Sequence, residues 1–130
     1  MARPAQPRNT SALDGVRVLL VEDDLLILMD LEDVLVEAGA KVVAECRNVR
    51  DALERVDDDE FEVAVLDVRL GDETVAPVAR RLAERGVPFV FYSGQIGSDP
   101  FFAEWSDHEL LHKPARSEAI VQAVAAAAQG

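Results

Sequence analysis

The sequence predicts a single α/β domain with a doubly wound five-stranded parallel sheet of order 2-1-3-4-5. Three observations carry this reading. Short apolar runs of strand length alternate with segments of helical spacing five times, giving a (βα)5 pattern. The runs, such as Val63-Ala-Val-Leu66, are apolar throughout, as expected of strands buried on both faces. Breaks at Gly39, Gly86, Gly94 and Pro114 separate the units. Right-handed crossovers then make 2-1-3-4-5 the natural closure. The chain of 130 residues is long enough for one core and too short for two.

The elements follow in order. Residues 1–14 read as a disordered leader, polar and carrying Pro4 and Pro7, with the folded domain over 15–130. Residues 16–21 form the first strand and end in Glu22-Asp23-Asp24. Leu28, Leu31, Val34, Leu35 and Ala38 have helical spacing, and Gly39 stops that helix. Residues 41–46 are the second strand, and Asn48 caps a helix reaching about Val56. The third strand runs to Leu66 and stops at Asp67. A loop over 68–73 precedes a helix over 74–85, with Pro77 in its first turn, where a missing N–H does no harm. Residues 87–93 are the fourth strand. Residues 95–107 hold one short helix near 100–105, residues 109–112 the fifth strand, and Ser117 caps a last helix over 118–128.

A formal charge of −12 excludes nucleic acid and anionic membrane as partners, since both need clustered Lys and Arg. No apolar run approaches the roughly 20 residues of a membrane span, and the N-terminus lacks the apolar core of a secretory signal. Cys46 is a lone cysteine in an apolar strand, which suits a buried thiol and a cytoplasmic protein.

In an open parallel sheet, ligands bind outside the carboxyl ends of the strands. There the first strand delivers Glu22 and Asp23, the third Asp67, the fourth Ser93 and the fifth Lys113. Close-packed carboxylates raise one another's pKa unless a cation joins them. Hard oxygen ligands with room for water suit Mg2+. A cation, an ammonium and a hydroxyl around one carboxylate form a receptor for a phosphoryl group bonded to it.

These motifs carry a resemblance. Val-Leu-Leu-Val-Glu22-Asp23-Asp24, Ala-Val-Leu-Asp67, Phe-Val-Phe-Tyr-Ser93-Gly94 and His-Lys113-Pro114 resemble those of the receiver domain of two-component response regulators, a flavodoxin-like fold. The likeness covers about residues 16–128. It implies that Asp67 takes a phosphoryl group from a histidine kinase or a histidine phosphotransfer protein. It implies Mg2+ held by Asp23, Asp67, the backbone carbonyl of Arg69 and, through water, Glu22. It further implies that Ser93, Gly94 and Lys113 bind the phosphoryl oxygens, and that the Lys113–Pro114 bond is cis. The stretches Leu-Asp-Val-Arg-Leu-Gly-Asp-Glu and Val-Pro-Phe-Val-Phe-Tyr-Ser-Gly resemble the single-domain FAT GUY group, whose partners are HWE-type or related kinases.

The chain departs from the common pattern in three places. Leu70-Gly71 stands where many receivers have Met-Pro, Gly94 where many have Ala or Ser, and Leu110 where many have Tyr or Phe. The resulting expectation is a stand-alone phosphoacceptor, not an enzyme with turnover, a monomer or weak homodimer, that signals through protein contacts or phosphoryl relay. Two rivals stand beside it. One is a receiver-like interaction module that is never phosphorylated. The other is a phosphatase of the haloacid-dehalogenase type, which needs Asp-x-Asp after the first strand where this chain offers Glu22-x-Asp24.

Overall fold

The computed structural model describes residues 12–58, 60–94 and 100–129. The elements run β1 (Arg17–Val21), α1 (Leu25–Glu37), β2 (Lys41–Cys46), α2 (Val49–Asp58), β3 (Val63–Leu66), β4 (Arg69–Leu70), β5 (Glu73–Thr74), α3 (Ala76–Glu84), β6 (Phe89–Ser93), α4 (Phe101–Glu104), β7 (Leu110–His112) and α5 (Ser117–Gln129). Five strands form one parallel sheet of order β2-β1-β3-β6-β7, which is the expected 2-1-3-4-5 once the small β4–β5 pair is set aside. That pair is an antiparallel hairpin in the segment expected to be a plain loop. Gly71 at its turn has φ +63°, a conformation glycine adopts without steric cost.

Strand alternation distributes the apolar side chains to two cores. Leu19, Val21, Ala64, Leu66, Phe89 and Phe91 pack with α2, α3 and α4 on one face. Val18, Leu20, Val63, Val65 and Tyr92 pack with α1 and α5 on the other. Cys46 is buried, as expected.

One expectation changes at the N-terminal edge. Leu13, assigned to the leader, is fully buried in the second core, and its N–H donates to Ala38 O at 3.0 Å. The fold therefore begins before residue 15, because one leucine supplies enough apolar surface to pin the segment. Residues 1–11 of the expected leader, and residues 95–99 of the segment expected to hold one short helix, lie outside the described residues. Pro77 sits at the second position of α3, inside the first turn. The Lys113–Pro114 bond is cis. No helix among the described residues is long and apolar enough to cross a membrane.

Candidate phosphoryl site

Parallel pairing continues one residue beyond three of the strands, and this fixes the site. Glu22 N–H donates to Cys46 O, Asp67 N–H to Val21 O and Lys113 N–H to Ser93 O, each at 2.9 Å. The backbones of these three candidate site residues are thus extensions of the sheet. Such a scaffold positions side chains more firmly than a free loop would.

Carboxylate oxygens of Glu22, Asp23 and Asp67 all lie within 4.8 Å of one another. Lys113 Nζ stands 2.8 Å from Glu22 Oε1 and 3.1 Å from Asp67 Oδ2. Glu22 is the deepest of the three carboxylates, at 1% exposure, and Asp67 keeps 7%. Burial pushes the Glu22 carboxyl up to about 7; Lys113 and the Asp24 N–H pull it back, and the Asp67 charge adds to the rise. Burial also works against the Lys113 ammonium, but its contacts with Glu22 and Asp67 outweigh that and raise its pKa. One ammonium among three carboxylates leaves the cluster short of positive charge, and a hard divalent cation fits that donor set.

Each carboxylate has an oxygen held in place. Asp24 N–H donates to Glu22 Oε2 at 3.1 Å, and Gly71 N–H donates to Asp23 Oδ2 at 2.9 Å. Arg47 secures the Asp23 backbone, its Nη2 donating to the carbonyl at 3.0 Å.

The structure therefore brings Glu22, Asp23, Asp67 and Lys113 together. Ser93 ends β6 on the same sheet edge, fully buried. Gly94 follows it, exposed, with open space where a Cβ would lie. Arg69 opens the hairpin two residues past Asp67 with an exposed side chain. His108 precedes β7 and stacks on Phe89, the ring centroids 4.5 Å apart.

Three contributors were not legible in the sequence. Gly71 supplies the N–H on Asp23, and its only sequence signal was a glycine in the loop after Asp67. Arg47 gave no signal, since one arginine after a strand has many uses. Tyr92 accepts from the Ala115 N–H through its hydroxyl at 3.2 Å, and its ring centroid is 5.7 Å from Lys113 Nζ. Asp24 does not join the cluster. Its Oδ1 caps α1, accepting from Leu26 N–H at 2.9 Å and Ile27 N–H at 3.3 Å. The Glu22-x-Asp24 pair of a dehalogenase-type phosphatase is therefore not assembled.

A family model described as the response regulator receiver domain matches residues 18–125. The chain belongs to that family. No curated protein matches this receiver. Among solved structures it is similar to SdrG from Sphingomonas melonis Fr1, at 38% identity over 92% of this chain and 99% of that one, with a TM-score of 0.74. The signal receiver domain of the putative response regulator NarL from Mycobacterium tuberculosis shares the fold at 24% identity and a TM-score of 0.77, over 90% of this chain and 98% of that one. The response regulator PhyR from Brucella abortus shares it at 20% identity and a TM-score of 0.75, over 91% of this chain. The receiver spans 50% of the PhyR chain's length.

Proposed function

We propose that the domain accepts a phosphoryl group on Asp67 from a phosphohistidine of a histidine kinase or phosphotransfer protein, and signals by changing its protein contacts. The observation that carries the reading is the setting of Asp67: an ammonium at 3.1 Å, two further carboxylates within 4.8 Å, and a narrow opening to solvent. Glu22, at 1% exposure, is shut off from an incoming donor.

In this reading an Asp67 carboxylate oxygen attacks phosphorus, the P–N bond breaks, and its electron pair stays with the departing imidazole. A bound Mg2+ would neutralise charge on the transferring oxygens. Asp23 and Asp67 would hold it directly, with the Arg69 carbonyl, and Glu22 through water. Lys113 supplies the fixed positive charge on the opposite side. Ser93 and the Gly94 backbone would meet the phosphoryl oxygens once attached. Because Ser93 is fully buried, that contact requires a local rearrangement at the end of β6. The cytoplasmic setting and an HWE-type kinase as donor belong to the same reading. So does the absence of catalysis beyond the domain's own phosphorylation and dephosphorylation.

Intact mass after incubation with acetyl phosphate and Mg2+ tests the proposal. Wild type gains one phosphoryl group, and Asp67→Asn gains none. Equal gain by the variant, or no gain by wild type, sinks it.

A further inference from the structure

Lys113 carries a long, flexible side chain, yet it has to meet two carboxylates at once. Something must restrict it. Its own N–H is tied to Ser93 O at 2.9 Å, which fixes the backbone on the β6 side. Two residues further on, the Ala115 N–H donates to the Tyr92 hydroxyl at 3.2 Å. The stretch carrying Lys113 is thus gripped on both sides by consecutive residues of one strand, Tyr92 and Ser93. The Tyr92 ring is 5% exposed and packs with α1 and α5, so its own position is set by the second core. The Lys113 ammonium lies 5.7 Å from that ring's centroid, inside the range of a cation–π contact.

We infer that Tyr92 is a positioning residue for Lys113: its hydroxyl anchors the backbone just beyond the lysine, and its ring guides the ammonium toward Asp67 and Glu22. The inference rests on the proposed role of Lys113 in binding phosphoryl oxygens, and it extends that role to a residue outside the acidic cluster. In this inference Tyr92 acts through the lysine and not on the reacting atoms. A strand with an aliphatic residue here would offer neither the acceptor nor the ring.

The test is a double-mutant cycle on the whole chain, read by beryllofluoride binding in the presence of Mg2+ and by NMR of the Lys113 ε-methylene. Tyr92→Leu weakens beryllofluoride binding by roughly tenfold, while Tyr92→Phe, which keeps the ring, loses about two- to fivefold. In a Lys113→Ala background, Tyr92→Leu brings no further loss, because its effect passes through the absent lysine. The ε-methylene protons show a ring-current upfield shift in wild type and in Tyr92→Phe. Equal losses in the two backgrounds would mean that Tyr92 is merely structural. Unshifted ε-methylene protons in wild type would overturn the inference even if Tyr92→Leu failed to fold. Failure of the phosphoryl reading looks different: wild type would not bind beryllofluoride, or Lys113→Ala would bind it as well as wild type, while the methylene shift stayed intact.

Discussion

Glu22 lies 2.8 Å from the Lys113 ammonium, yet its carboxyl titrates near 7 because burial outweighs the pairing. The unfolded chain loses that proton near 4.5, so the fold binds it more tightly. The stabilisation from holding it is complete below pH 4.5, falls between 4.5 and 7, and is gone above about 7. Glu22→Gln lacks this dependence. Without divalent cations it should gain on wild type as pH rises, by about 1 to 3 kcal/mol at pH 8, and show little difference at pH 4. Urea unfolding at both pH values measures it. Added Mg2+ should narrow the gap, since a cation favours the ionised wild-type side chain. A stability difference independent of pH would show that burial does not hold the proton. Residues two apart thus diverge in use: Glu22 turns into the cluster, while Asp24 turns out to start a helix.

At the scale of elements, α1 and the β4–β5 hairpin frame the site from two sides. Asp24 satisfies two N–H groups that α1 would otherwise leave open at its first turn. Asp24→Ala should cost about 1 kcal/mol in thermal unfolding. It should leave phosphorylation possible, since the Asp24 side chain does not reach the cluster. Gly71 holds φ +63° at the hairpin turn while its N–H serves Asp23. Gly71→Ala meets no steric obstacle but is strained by that φ, and should cost about 1 to 2 kcal/mol. Gly94 differs, with open space around it and a φ outside the left-handed region. Gly94→Ala should therefore stabilise by about 0.4 to 1 kcal/mol, by restricting the unfolded chain. Opposite shifts in melting temperature from two glycine-to-alanine changes would separate the two roles. The hairpin also accounts for the Leu70-Gly71 departure: proline at 71 could neither adopt this φ nor donate an N–H to Asp23.

Across the whole molecule, the two cores on either face of the sheet hold four strand ends in register, and the site depends on that register. Leu13 belongs to the second core, so Leu13→Ala should destabilise by about 2 to 5 kcal/mol, lowering the urea midpoint without changing the slope. An unchanged midpoint would return Leu13 to the leader. Leu13 also shows a limit of reading by pattern, because a single buried side chain has no period. The same limit hid the hairpin, whose two-residue strands are too short to alternate. By contrast, the long apolar runs and the helical spacings were legible, because burial on two faces and on one stripe leaves different periods. The sheet order was legible too, since chirality leaves few closures.

The chain by itself thus determined the strand ends: Glu22, Asp23, Asp67, Ser93 and Lys113 all stand at one edge of the sheet, where all but Ser93 meet. Side-chain direction and backbone donors came only with the tertiary structure. They decided that Asp24 caps α1, that Gly71 and Arg47 secure Asp23, and that Tyr92 lies beside Lys113. The physical reason is range: strand and helix periods arise from neighbours along the chain, whereas the contacts of Gly71, Arg47 and Tyr92 join segments distant in sequence and exist only after the sheet has closed.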